Sequence, residues 1–114
     1  MINLIVKRIH NLFNTKIYYN NIEIGNSISE SLNNKKSIIH NININKKYQG
    51  KGYGRYLLNS TENILLLDNN KINSISLVAY QKYDIGNSLI DFYKKNHYEL
   101  TQDDYSTYDD GEYI

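Results

Sequence analysis

Apolar and polar residues alternate along most of the first 45 positions. Their period is two, that of strands with one buried face. Ile2, Leu4 and Val6 alternate with Asn3 and Ile5 in a first strand, and a polar patch around Asn11 and Asn14 follows. Lys16 to Tyr19 and Ile22 to Ser31 read as two strands joined at Asn20-Asn21, a pair that tolerates the positive φ of a tight hairpin. Ile22, Ile24 and Ile28 supply an apolar face to the second of them, with Gly25 as a bulge. Asn33-Asn34-Lys35-Lys36 is a further turn signal. It leads into a strand from Ser37 to Asn45, where Ile38, Ile42 and Ile44 share one face with His40.

The period then changes. Leu57, Leu58, Thr61, Ile64 and Leu65 follow the stripe spacing of an amphipathic helix that starts near Gly54 and ends at Asn69-Asn70. Ser74 to Tyr80 is a buried strand, and Gln81 to Gly86 a loop. Asn87 or Ser88 caps a second helix with Leu89, Ile90, Phe92 and Tyr93 on its apolar side. Tyr98 to Thr101 and Gly111 to Ile114 read as closing strands. The predicted order is β-β-β-β-α-β-α-β-β. It describes an α/β fold of the α+β type, with a mostly antiparallel sheet flanked by helices, and residues 1–114 as one domain.

Composition adds exclusions. With 114 residues, 40% of them hydrophobic, and a net charge of +1, the chain reads as one soluble globular domain. No apolar run approaches the roughly 20 residues of a membrane span. Lys7 and Arg8 follow the apolar start rather than precede it, which favours a strand over a signal peptide. The absence of cysteine removes disulfides, thiolate metal sites and a cysteine nucleophile. No metal site is expected, and a cytoplasmic, intracellular location fits best. Charge is divided: residues 1–60 hold nine Lys and Arg against Glu23 and Glu30, while the remainder holds four Lys against ten Asp and Glu. That division suits an anionic ligand on one side and a cationic one on the other, or two solvated faces that neutralise each other.

The most specific stretch is Gln49-Gly50-Lys51-Gly52-Tyr53-Gly54-Arg55, between the fourth strand and the first helix. Its glycines let successive N–H groups turn toward one anion, and the helix adds its positive end. Lys46, Lys47, Lys51 and Arg55 surround it with full charges. Gly52 follows Lys51 where a nucleotide P-loop needs Ser or Thr, and the spacing G-x-G-x-G departs from the dinucleotide fingerprint. A structural turn and a basic loop for nucleic acid are the other readings that spacing alone allows.

Gln49-x-x-Gly52-x-Gly54, followed by Arg55-x-Leu57-Leu58, resembles the Q/R-x-x-G-x-G/A signature of the GNAT superfamily of acyl-CoA-dependent N-acetyltransferases. Asn87-x-x-Ile90-x-Phe92-Tyr93-Lys94-Lys95-x-x-Tyr98 resembles the family's N-x-x-A-x-x-F-Y-x-K-x-G-F segment. The two matches come in the family's order and cover residues 37 to 98. The resemblance implies a partly splayed sheet and acetyl-CoA as cosubstrate. Its pyrophosphate would lie on Gln49, Gly50, Lys51, Gly52, Tyr53, Gly54 and Arg55, its pantetheine arm along the backbone of Ile42, Asn43 and Ile44, with Asn87 as a further contact. It also implies Tyr93 as the acid that protonates the departing thiolate.

The family often places a glutamate on the strand before the loop as general base, and none stands there. His40 does, and imidazole suits base chemistry near neutral pH; Glu30 is the reserve candidate. A structural role for His40, and a core role for Tyr93, are the competing readings. Two helices usually follow the family's first strand, and the first 36 residues are too short and strand-like for them. An open acceptor site, or one completed in a homodimer, is therefore expected. Asp103, Asp104, Asp109, Asp110 and Glu112 suggest a cationic amine acceptor or an acidic solubilising tail. The function expected is direct acetyl transfer to a primary amine. A degenerate CoA-binding or nucleic-acid-binding module is the alternative, with nucleic acid the less favoured partner.

Overall fold

Tight turns, rather than long connections, join the first four strands. The computed structural model describes residues 1–33, 35–69, 71–77, 79–80, 88–99 and 112–113. They fall into two compact units, Met1–Ser76 and Leu77–Ile114. In the first, β1 (Ile2–Ile9), β2 (Leu12–Tyr19), β3 (Ile22–Ser31) and β4 (Lys36–Ile44) form an antiparallel meander. A 3-10 turn at Lys46–Tyr48 and the helix α1 (Tyr53–Asp68) lead to β5 (Ser74–Leu77), which lies beside β4 in a sheet of order β1-β2-β3-β4-β5.

Asn20 and Asn21 both take positive φ, 48° and 68°, the geometry of a type I′ hairpin turn. This is the turn their side chains predict. A second tight turn sits at His10 and Asn11, with His10 at φ 55°, and β2 begins at Leu12. The alternation predicts only a polar patch there and starts the strand at Lys16, because His-Asn is a weaker turn signal than Asn-Asn.

Two irregularities in register decide which residues face the helix. Ile17 opposes Gly25 while Tyr18 opposes Glu23, so Ile24 is an extra residue in β3. The bulge therefore falls on the residue before Gly25. Ser29 opposes Ile39 while Ile28 opposes Asn41, so His40 is an extra residue in β4. Each extra residue reverses the alternation beyond it. The helix-facing side consequently carries Ser37 and Ile39 before the second bulge, and Ile42 and Ile44 after it. Ile38 and His40 belong to the opposite face, and the expected shared face of Ile38, His40, Ile42 and Ile44 is not formed. Ile24 and Ile28 are separated between the two faces for the same reason.

The helix stripe is as the spacing predicts. Leu57, Leu58, Thr61 and Leu65 are buried and Ile64 is half-buried. Leu57 joins Ile17, Ile24 and Ile44 in one core cluster, and each such side chain contributes roughly 1.5–3 kcal/mol of burial. Farther along the helix the sheet offers small hydroxyls: Thr15, Ser27, Ser29, Ser31 and Ser37 are all buried. Thr61 Oγ1 donates to the carbonyl of Leu57 and lies 2.7 Å from Ser27 Oγ, tying helix to strand by polar contact.

In the second unit, β6 (Ala79–Tyr80) pairs antiparallel with β7 (Glu112–Tyr113), and α2 spans Ser88–Lys95. The single strand expected over Ser74 to Tyr80 is thus two, in two ladders. Tyr98 and Glu99 are not in a strand, and the rest of the closing strand expected there lies outside the described residues, as do Asn87 and Gln81 to Gly86. Helix α2 ends in a Schellman motif. The N–H of Tyr98 donates to the carbonyl of Tyr93, and that of His97 to the carbonyl of Lys94. His97 holds the left-handed position, φ 74°, that glycine usually takes. A side chain there costs about 1–2 kcal/mol. His97→Gly is therefore expected to raise stability by about 1 kcal/mol in urea titrations monitored by circular dichroism.

Candidate active site

The end of β4 and the start of α1 are joined by a segment whose backbone is fixed at both ends. The N–H of Asn45 donates to the Ile24 carbonyl at 2.7 Å, and Asn45 Nδ2 to the Glu23 carbonyl at 3.2 Å. The Gln49 side chain turns back, donating from Nε2 to the Ile44 carbonyl at 2.8 Å. The first glutamine of the motif thus braces the strand end against the loop. Gly50 and Gly52 take φ of 76° and 90°, and a Cβ built on either would meet no atom within 4 Å. The space they leave opens to solvent at the helix N-terminus. Gly54 is already helical, one residue past the start of α1 at Tyr53.

Helix geometry leaves the first N–H groups of α1 without intrahelical acceptors, and its first turn has no acidic residue. Lys46, Lys47, Lys51 and Arg55 are exposed around this end. Backbone donors, the positive helix end and four exposed cations of the adjoining sequence therefore belong to one solvent-open helix start, an arrangement suited to a polyphosphate. The rings of Tyr19, Tyr48 and Tyr53 lie 6.0 to 6.4 Å apart and pack against the Ile17–Ile24–Ile44–Leu57 cluster, anchoring the loop to the sheet. Sequence spacing alone does not bring these tyrosines together; the hairpin register does.

His40 and Glu30, two alternatives in the sequence, meet in the structure. His40 Nε2 lies 2.8 Å from Glu30 Oε1, with both side chains partly exposed. The bulge makes this possible, because Glu30 opposes Ile38 and the extra residue brings the imidazole within reach of the carboxylate. An ionised carboxylate only accepts hydrogen bonds, so Nε2–H donates to Glu30, and in the neutral ring Nδ1 keeps its lone pair. The pair has the form of an oriented base.

Tyr93 is buried on α2, with Phe92 at 5.4 Å and Tyr98 at 6.3 Å between ring centres, both edge-on. Burial disfavours the phenolate and pushes its pKa from 10.0 up to about 12. The folded form therefore holds its proton more tightly than the unfolded form. The resulting stability is complete below pH 10 and is lost as pH rises through 12, by roughly 2–3 kcal/mol. Chemical denaturation between pH 9 and 12 should show this loss in the wild type and a correspondingly shallower one in Tyr93→Phe.

Asn87 and the acidic group Asp103, Asp104, Asp109 and Asp110 lie outside the described residues, and of Glu112 only the strand position is described. A polar cleft of about 380 Å³ opens at the other end of α1, where Arg8 pairs with Asp68 at 2.6 Å and Ser31 donates to Asp68 at 2.9 Å. It is apart from the glycine loop and holds none of the expected site residues. Among the described residues no cluster of three or more His, Asp or Glu could hold a metal ion, and no helix is long and apolar enough to cross a membrane.

No family model matches the sequence, and no curated protein matches it. Solved structures do match the fold. A PaiA N-acetyltransferase from Thermoplasma acidophilum, in complex with coenzyme A, superposes with a TM-score of 0.68 at 19% identity, over 90% of this chain and 59% of that one. Ard1 from Thermoplasma volcanium gives 0.70 at 16% identity, over 88% and 66%. Naa50 of Arabidopsis thaliana, in complex with the bisubstrate analogue CoA-Ac-MVNAL, gives 0.61 at 26% identity, over 88% and 68%. The chain therefore has the fold of the GNAT superfamily of N-acetyltransferases, as its two motifs imply. It spans about three-fifths of the length of the Thermoplasma acidophilum enzyme.

Proposed function

We propose that this chain is an acetyl-CoA-dependent N-acetyltransferase acting on a primary amine. The observation that carries the reading is the open turn at Gly50 and Gly52, in a stretch with four exposed cations, at the start of a helix that follows a bulged strand in a GNAT fold. The pyrophosphate of acetyl-CoA fits it: the ligand is anionic, and the space is one that a Cβ on either glycine would fill. In this reading Gln49, Lys51, Tyr53, Gly54 and Arg55 complete the contact, the backbone of Ile42, Asn43 and Ile44 lines the pantetheine arm, and Asn87 adds a further contact.

Acetyl-CoA supplies an activated acyl group as a thioester. A protonated amine, with a pKa of about 10.4 for a lysine, must lose a proton before it attacks. Nδ1 of His40 takes that proton, directly or through one water, while Glu30 holds the ring and stabilises the imidazolium. A backbone N–H near the bulge stabilises charge on the thioester oxygen. Tyr93, protonated throughout the neutral range, gives its proton to the departing thiolate. The acceptor is a cationic amine, such as a lysine side chain, a protein N-terminus or a polyamine, a charge that the acidic run Asp103, Asp104, Asp109 and Asp110 of the sequence would suit. A cytoplasmic location belongs to the same proposal.

The test is calorimetric titration with acetyl-CoA, followed by thiol release across a panel of amines. Binding with turnover, and a loss of turnover in Tyr93→Phe, is the expected result. Binding without turnover would leave a CoA-binding module. Salt-sensitive binding of nucleic acid with none of CoA would overturn the reading. Neutralising the four aspartates together should raise KM for cationic amines and leave that for acetyl-CoA unchanged.

A further inference from the structure

β1 is the edge of the five-stranded sheet, and among the described residues no strand pairs with its outer side. Its register with β2 is unbroken from Ile2 to Ile9. It contains no proline and no bulge, two of the devices that protect edges from pairing. Lys7 and Arg8 are its charged residues, and Arg8 is turned to the helix side, bonded to Asp68 and over the Phe13 ring. Ile5, Val6 and Ile9 are 47%, 42% and 69% exposed, and Met1 beside the strand is 82% exposed.

The direction of the free backbone groups follows from one bond. The N–H of Asn20 donates to the Met1 carbonyl at 3.1 Å, which makes Met1 and Asn20 a hydrogen-bonded pair. Such pairs alternate along an antiparallel ladder. Asn3, Ile5, Lys7 and Ile9 therefore bond to β2, and Ile2, Leu4, Val6 and Arg8 direct their N–H and C=O groups outward.

We infer that β1 pairs antiparallel with β1 of a second copy, about a two-fold axis through Ile5. Outward groups occur only at even positions, so bonded pairs must join even to even, and the axis must pass through a residue. With the axis at Ile5, Ile2 bonds with Arg8 of the second copy and Leu4 with Val6, satisfying all four outward residues. The exposed apolar residues then cover one another, Ile5 on Ile5 and Met1 on Ile9, while Lys7 faces Asn3. An axis at Lys7 would oppose like charges, and one at Val6 would leave Ile2 unpaired. This self-complementarity selects a second copy over an unrelated extended peptide as the occupant. The two sheets become one.

The chain lacks cysteine, which gives a clean test. Ile5→Cys places two thiols opposite each other in a non-hydrogen-bonded pair, with Cα atoms about 4.5 Å apart, within disulfide range. Under mild oxidation it should form a covalent dimer, whereas Leu4→Cys and Val6→Cys should not. Val6→Pro removes an outward N–H and leaves the β2 ladder intact. By sedimentation the wild type should be a dimer and Val6→Pro a monomer with an unchanged circular dichroism spectrum. A monomeric wild type, equal cross-linking at all three positions, or a dimer that persists in Val6→Pro would overturn the inference. None of these results depends on whether the chain binds CoA.

Discussion

His40→Gln is expected to lower kcat with an amine acceptor by about 10²–10⁴, the usual contribution of a positioned base. Acetyl-CoA affinity should stay within a few-fold, because the glycine loop proposed to hold its pyrophosphate lies beyond the strand end and shares no side chain with the bulge. Glu30→Gln should cost less, about tenfold, because a neutral amide still accepts the Nε2–H bond but no longer stabilises the imidazolium. The separation between the two variants distinguishes an oriented base from a histidine that merely fills the bulge: in the latter case both would retain turnover. A His40→Gln protein that folds and keeps wild-type kcat would exclude the assigned role.

The largest effect on stability is expected at Gly25. A Cβ there would clash with the Asn43 carbonyl oxygen and stand 2.7 Å from Ile44 Cδ1. The first of these is backbone, so the strand itself must shift. Overpacking of this kind costs about 1–3 kcal/mol, and Gly25→Ala should fall at the upper end, lowering Tm by about 10 °C. The displaced segment is the one proposed to line the pantetheine arm, so the donor Kd should rise as well. Gly52→Ala offers the contrast: its Cβ enters open space, and only the left-handed backbone, about 1–2 kcal/mol, opposes it. It should leave Tm closer to wild type while weakening phosphate binding. Differential scanning fluorimetry with and without acetyl-CoA reads both effects.

Much of the architecture is legible in the residues, and the gaps have identifiable causes. The Asn20-Asn21 turn and the Leu57–Leu65 stripe each rest on one local signal that tertiary packing reinforces. The facing of β4 does not, because an alternation read from sequence assumes that no residue is inserted, and His40 is one. The hydroxyls beneath α1 are hidden for a different reason. Ser27, Ser29 and Ser31 occupy positions a polar–apolar pattern assigns to solvent, yet they are buried because a helix needs small partners to lie close to a sheet. The glycine loop is legible because its glycines and cations are contiguous. The His40–Glu30 contact is not, since it joins residues ten apart through a bulge. The sequence offers the two as alternatives, and the structure places them in hydrogen-bond contact.

The tight turns at His10-Asn11 and Asn20-Asn21 also bear on how the chain reaches this state. Each closes its hairpin over a gap of only two residues, so the loop entropy that slows most sheets is small here. The β1–β2–β3 meander can zip from either turn on the microsecond scale of isolated hairpins. Helix α1 must then cross back over strands more than 30 residues earlier, as the Ser27–Thr61 bond requires. Docking of that helix, rather than assembly of the strands, is the slow step that the topology imposes, and substitutions at Thr61 should slow folding more than substitutions in the turns.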